Sequence, residues 1–416
     1  MITINKKILI TVLSFVMIIS IITFSTSADA AYLSNSFISR YVYDLENEDD
    51  FSFPLIYDVG YEKRINIENL FGKLNIEPRF EYDLISENEK MDIKEAYLDL
   101  YFSNYDLRIG KQKLTWGKSD GLVITNIVNP QDYTVNPIVE FSDQMQGVNG
   151  LKTTFYPNND SFEMIVVPEF KETNMEESLI TQNIPQGFTI DESEKAVDTN
   201  LENSELFLRY SSIGSKYDCE VMAGYYWNDT PTLHKDLVNK TVIPKHHRIA
   251  SIGGSISTMA GPFILKGEGI FNSGKYYNQE MSQQELLEMT PQELQEEDGG
   301  VEKDQLIWMV GVDYNYEGYL FATQFKQEAI LDYEENIIKD EFSNQMNFLV
   351  KKDFMRSKLN TEINFHYNIN DEVLMTKPSI SYDYSSEINF KAGANYNLEG
   401  ENPKTDVIYL QTEYLF

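Results

Sequence analysis

The sequence predicts an all-β protein: a transmembrane antiparallel up-and-down β-barrel of about 16 or 18 strands, with short periplasmic turns on one rim and long extracellular loops on the other. Three observations predict it. Segments of about 10 to 14 residues alternate apolar and polar side chains with period two. The connections between them alternate between tight and long. After residue 31 no apolar stretch approaches the ~18 residues that a membrane-spanning helix needs.

At the start of the chain, Lys6 and Lys7 precede an apolar run from Ile8 to Phe24, and Ala28-Asp29-Ala30 follows as a small-residue cleavage site. This is the pattern of a secretory signal peptide over 1–30. The 416 residues carry 66 Asp and Glu against 34 Lys and Arg, a net charge of −32. Such a balance excludes nucleic acid as a partner, because binding phosphates takes a clustered basic face. A single cysteine excludes a disulfide framework and a cysteine-based zinc site. The 27 tyrosines and 24 phenylalanines favour pleated surfaces.

Residues 31–70 form an N-terminal segment holding the first strand or strands, with unclear boundaries between Phe37 and Asn69; the barrel proper is expected over 71–416. Strands are read at Glu95 to Phe102, Asp218 to Asn228, Ile264 to Asn272, Gln305 to Asn315, Lys358 to Asn368, Ser379 to Tyr384 and Glu387 to Leu398. In the last of these Ile388, Phe390, Ala392, Ala394, Tyr396 and Leu398 share one face, and polar residues share the other. Soluble strands average about five or six residues; segments twice as long suit a tilted bilayer crossing. Tight turns fall at Ser103-Asn104, Pro157 to Asp160, Ala260-Gly261, Glu317-Gly318 and Ser385-Ser386. Long connections cover 118–146, 171–204, 229–245 and 276–303. The candidates number about 17, which the even counts of bacterial barrels turn into 16 or 18. One helical stretch is expected, Ser282 to Glu297, interrupted at Pro291.

Catalytic constellations are absent from this reading. The histidines are His234, His246, His247 and His366. His246 and His247 are adjacent, which in a strand sends their rings to opposite faces, so no metal pair is expected of them. No Gly-x-Ser-x-Gly elbow occurs. Gly117-Lys118-Ser119 imitates the end of a phosphate loop, but Gln112 stands where that loop needs glycine. The acidic run Glu296 to Asp298 lacks the spaced ligands of a calcium loop. Neither an enzyme nor a cofactor is expected.

The most informative local pattern is Arg108-Ile109-Gly110-Lys111-Gln112-Lys113-Leu114-Thr115-Trp116-Gly117-Lys118-Ser119-Asp120, followed by Asn129-Pro130-Gln131-Asp132-Tyr133. It resembles a family of porin-like outer-membrane barrels, distantly similar to alginate-export-type porins, that share a G-[KR]-Q-x3-W-G-x-[SA]-D strand and loop and a later N-P-x-D segment. Gly110, Gln112, Trp116, Gly117, Asp120, Asn129, Pro130 and Asp132 match, over a region from the Glu95 strand to about Phe170. The resemblance implies the barrel fold and names no cargo. At the other end of the chain, Tyr414 and Phe416 resemble the sorting signal read by the barrel-assembly machinery, which implies that machinery and outer-membrane lipids as partners in a bacterial outer membrane.

A hairpin turning near Ser103 to Tyr105 would set Gly110 across from Asp99 and Gln112 across from Tyr97. Arg108, Gln112 and Trp116 would then share the lumen face with Glu95, Tyr97, Asp99 and Tyr101. The 118–146 loop, stiffened by Asn129-Pro130 and Asn136-Pro137, is expected to fold inward, with Lys118, Asp120 and Asp132 at the constriction. The lumen faces mix Arg108, Lys266, Lys326, Lys351, Lys358, Lys377 and Lys391 with Glu95, Asp99, Glu220, Glu268, Asp313, Glu328, Glu362 and Asp383. Surplus acid sits in the loops: 171–204 holds eight acids against two lysines and 276–304 nine against one. That predicts a mild cation preference at the mouth. The expected function is passive passage of small hydrophilic solutes or ions. The rivals are a substrate-specific transporter or exporter of polysaccharides or hydrophobic compounds, and a non-conducting structural barrel.

Overall fold

The computed structural model describes residues 31–47, 49–67, 70–118, 121–134, 138, 141–175, 184–281, 289–290, 292–399 and 406–416. The signal peptide expected over 1–30 lies outside them.

Alternation shapes the molecule into a single closed sheet. In chain order its strands begin with β1 (Ala31–Asp44), β2 (Asp49–Ser52, continued as Pro54–Ile67), β3 (Leu70–Asp83), β4 (Glu89–Tyr101) and β5 (Tyr105–Gln112). They continue with β6 (Val148–Phe155), β7 (Asp160–Val167), β8 (Glu205–Ile213), β9 (Tyr217–Trp227) and β10 (Arg248–Ala260). The circuit runs on through β11 (Phe263–Asn278), β12 (Gly300–Tyr316), β13 (Tyr319–Ile330) and β14 (Phe342–Phe354). It ends with β15 (Leu359–Asn368), β16 (Val373–Asp383), β17 (Ile388–Glu399) and β18 (Val407–Leu415). Each strand pairs antiparallel with the next, and β1 pairs with β18 from Ser36↔Leu415 to Asp44↔Val407, so the sheet has no free edge. The barrel has 18 strands. The irregular Phe37 to Asn69 stretch holds parts of two of them, because Phe53 interrupts β2 between Ser52 and Pro54.

β10 shows why these residues form a barrel wall. Ile252 and Ile256 point outward and are more than half and half exposed, while Ser251 and Ser255 between them are buried toward the lumen. An outward face of Val221, Leu265, Val310, Phe348, Ile363 and Leu410 continues the band around the circumference, which hydrocarbon covers and water would not. Tight turns at 102–104, 156–159, 214–216, 261–262, 317–318, 355–358 and 384–387 share one rim. At 317–318 both Glu317 and Gly318 take positive φ, the twist that joins two strands in two residues. The other rim carries 113–147, 168–204, 228–247 and 279–299, the long connections the sequence predicts. Within them Thr232–Asp236, Thr241–Lys245 and Thr189–Ile190 pair into a small separate sheet. Of the helix expected over Ser282 to Glu297, residues 282–288 and 291 are outside the described set; what is described is one turn, Glu293–Glu296.

Candidate channel site

The hairpin of β4 and β5 turns around Ser103 and Asn104, one position earlier than the expected centre, with the Phe102 amide donating to the Tyr105 carbonyl. Its register therefore sets Asp99 opposite Arg108 and Tyr97 opposite Gly110, which corrects the pairing read from the sequence by two residues. A two-residue turn closes the hairpin more tightly than the assumed one. Tyr97, Asp99 and Arg108 come together there, whereas Gln112 and Trp116, expected on the same face, are sealed where the chain leaves the wall. Arg108 makes a fork to Asp99 at 2.7 and 2.9 Å and lies 3.7 Å over the Tyr97 ring. Gly110 permits this: its φ is +128°, and a Cβ there would stand 2.2 Å from the Ala96 carbonyl oxygen.

Beyond Gln112 the chain leaves the wall and crosses the barrel. Gln112 is wholly buried and donates through Nε2 to the Gly150 carbonyl at 3.1 Å. Glu95 accepts the Lys113 amide at 2.7 Å. Asn129 closes the neck of the loop, accepting the Leu114 amide at 2.7 Å and donating to the Gln146 carbonyl at 2.7 Å. Pro130 accepts the Gln146 amide at 2.9 Å. Asp132 faces the neighbouring 168–204 loop, where its carboxylate takes hydrogen bonds from Thr134 and, at 3.1 Å, from Asn174, with Lys90 at 3.6 Å. Burial alone would raise this carboxyl; those donors and Lys90 hold it below the ordinary value.

The crossing segment is held at its far side by two carboxylates of the opposite wall. Glu268 of β11 accepts the Lys118 amide at 2.7 Å, the Thr125 hydroxyl at 2.8 Å, and the amides of Ile124 and Thr125 at 3.3 Å. Glu220 of β9 accepts the Gly117 amide at 3.2 Å and pairs with the Lys118 ammonium at 3.1 Å. Gly117 has φ +98°, and a Cβ on it would stand 2.8 Å from the Glu268 carboxylate. Further along, Leu122 donates to Gln324 of β13 at 2.8 Å. Asp120 and Ser119 lie outside the described residues.

Trp116, the aromatic of the motif, is 1% exposed and meets Phe207 edge-on at 6.3 Å. It belongs to an apolar cluster inside the barrel with Leu114, Val128, Ile165, Phe207, Met222, Tyr226 and Ile249. Burying each such side chain is worth about 1.5–3 kcal/mol. Sequence reasoning missed this cluster, although its signal was present: β8 and β9 carry Phe207, Met222 and Tyr226 on the face that should be polar.

Between the loop and the wall built by β1 to β4, β17 and β18 lies a polar cavity of about 250 Å³. Arg40, Arg79, Lys94 and Lys391 line it, with Asp58, Asp143, Gln411 and Glu413. Arg79 holds Asp58 in a fork at 2.7 and 2.6 Å, and Lys94 reaches Asp143 at 3.3 Å and Asp58 at 3.6 Å. Arg40 donates to Gln411 at 2.8 Å. Asp143 comes from the crossing loop; burial would raise its carboxyl, but Arg79 and Lys94 bring it below the ordinary range. Of these lining residues the sequence reading named Lys391 alone as facing the lumen.

No protein-family profile matches the sequence, and no curated protein matches it. Solved structures do resemble the fold. The outer membrane protein OpdK of Pseudomonas aeruginosa superposes with a TM-score of 0.55 at 8% identity, covering 93% of this chain and 99% of that one. OccAB3 of Acinetobacter baumannii gives 0.53 at 11% identity, over 94% and 100% of the two chains. Pseudomonas aeruginosa OccK8 (OprE) gives 0.52 at 9%, over 93% and 98%. The chain thus has the fold of these outer-membrane proteins, carried on a sequence that has little in common with theirs.

Proposed function

We propose that the protein is an outer-membrane channel for passive diffusion of small hydrophilic solutes and ions. The observation that carries this reading is the water-compatible cavity between the inward loop and the Arg40, Arg79, Lys94 and Lys391 wall, inside a closed barrel whose outside is apolar. The crossing loop narrows the lumen, and its segment around Ile138 and Asp143 forms one side of the passage. Pore-wall charge is nearly balanced, four cations against Asp58, Asp143 and Glu413, so the passage itself discriminates weakly. Preference for cations then comes from the acidic outer loops, which act over a Debye length of about 8 Å at physiological salt.

Two of the aromatics that a sugar path would use are covered: Trp116 is sealed in the apolar cluster and Tyr97 lies under Arg108. Liposome swelling with sugars of graded size tests the channel reading. Swelling that falls off with solute size is the expected result, and no swelling with any of them would remove it. Reversal potentials in planar bilayers test the selectivity, with a cation preference at low salt that vanishes at high salt.

A further inference from the structure

We propose that His234 and His247 form a two-imidazole binding site for a divalent transition cation such as Zn²⁺, Ni²⁺ or Cu²⁺ at the long-loop rim of the barrel. His234 sits in the middle of Thr232–Asp236, one arm of the small sheet, and His247 immediately precedes β10. Their Nε2 atoms face one another at 2.7 Å. Asp298, from the 279–299 loop, lies 2.7 Å from His234 Nδ1. A carboxylate there keeps the proton on Nδ1 and leaves the Nε2 lone pair free to bind, the outer-shell arrangement that orients metal-bound histidines. The His247 ring is stacked flat on Tyr276, 3.7 Å between centroids and 12° between planes, which fixes the direction of its own Nε2. His234 is packed so closely against Gly300 that a Cβ at that position would lie 2.6 Å from its Cε1.

Two imidazole nitrogens directed at each other are held together by a shared proton or by a cation. At the tetrahedral angle, zinc–nitrogen bonds of about 2.0–2.1 Å put the two nitrogens about 3.3–3.4 Å apart, so moving the rings apart by about 0.6–0.7 Å converts one arrangement into the other. Among the described residues no group of three His, Cys, Asp or Glu is placed around one point. Water or a solute donor completes the coordination, and the site is exchangeable. His246 is not part of it. Its Nδ1 lies 2.7 Å from the Asn228 carbonyl, and its ring packs against Phe170.

The test is isothermal titration of the refolded full-length protein in detergent with Zn²⁺, Ni²⁺ and Cu²⁺. One equivalent should bind, with affinity falling at least tenfold in His234→Ala and in His247→Ala and remaining unchanged in His246→Ala. Asp298→Asn, at a half-exposed side chain, should weaken binding by about 10–100-fold without touching a ligand atom. Electron paramagnetic resonance of the Cu²⁺ form should show two imidazole nitrogens. Far-UV circular dichroism establishes that each variant is folded. The proposal is overturned if the wild-type protein binds none of the three, which would leave a shared proton only. It is overturned equally if binding survives in the His234→Ala/His247→Ala double variant.

Discussion

The two sides of the lumen are built by the same alternation and made for different contacts. On the side of β7 to β11, inward positions carry Ile165, Phe207, Met222, Tyr226 and Ile249 together with Glu220 and Glu268. The crossing loop lies on them. On the side of β1 to β4 and β17 to β18, inward positions carry Arg40, Asp58, Arg79, Lys94, Lys391 and Gln411 and face a cavity. The difference teaches that the inward face of a barrel strand records what covers it. Here the apolar face with two carboxylates holds loop backbone, and the face with long charged side chains lines the cavity and meets the loop through ion pairs to Asp143.

The largest expected effect comes from emptying the apolar side. Phe207→Ala should cost about 3–5 kcal/mol of loop docking, read as raised single-channel conductance and faster proteolysis within 113–147. Gln411→Ala on the other side should leave proteolysis within 113–147 unchanged, and equal effects on proteolysis from the two would erase the distinction between the walls. Next in size is Glu268→Ala, which strips the acceptor from four donors, two of them at 3.3 Å; with water replacing most of these contacts the net loss is about 1.5–3 kcal/mol. Conductance should rise toward that of a protein lacking 126–141. If excising those residues leaves conductance unaltered, the loop does not narrow the pore.

Asn129→Ala comes third. It leaves the Leu114 amide and Gln146 carbonyl without their partner, at about 1–3 kcal/mol, and should show as a lowered midpoint for loop release in a proteolysis titration. Acid should act on the same loop. Asp132 and Asp143 have folded values below the ordinary 3.8, so their contribution to docking is present above that value and is lost as the pH falls through the folded ones. Conductance should therefore climb below about pH 3.8 and recover on neutralisation. A flat profile from pH 6 to pH 2 would mean that the carboxylates do not hold the loop. The smallest effect is expected from Lys391→Gln. Removing one cation from the cavity wall should move the reversal potential slightly further toward cations, with the loop's ion pairs to Arg79 and Lys94 left in place.

Much of this is legible in the sequence, and for a physical reason. Period-two patterning, the Glu317-Gly318 and Ala260-Gly261 turns and the long acidic connections are local properties, and the barrel rim and strand faces follow from them. The inward fold of the 118–146 loop was expected from Asn129-Pro130 and Asn136-Pro137, the second pair lying outside the described residues. Its docking partners were not. Glu268 and Gly117 are far apart in sequence, and no local pattern pairs them. Gln112 and Trp116, expected to line the pore, are polar or aromatic enough for a lumen wall, yet both are sealed, because the chain leaves the wall at that point. Arg40 and Asp58 were missed because both fall in the Phe37 to Asn69 stretch, where the sequence left the strand boundaries unclear.

The seam between β1 and β18 carries a consequence for the order of events in folding. Asn35 donates its side-chain amide to the carbonyl of Phe416 across 381 positions of sequence, and Tyr57 stacks on the Phe416 ring. Every other strand finds its neighbour by turning back on the chain just made, whereas this pairing waits until almost the whole polypeptide has been delivered. Until then two strand edges remain unsatisfied in a medium that supplies no hydrogen bonds of its own. Closure therefore needs the two ends of the chain together, and a chain stopped short of residue 407 would hold nearly all of its hairpins and still leave this edge of β1 unpaired.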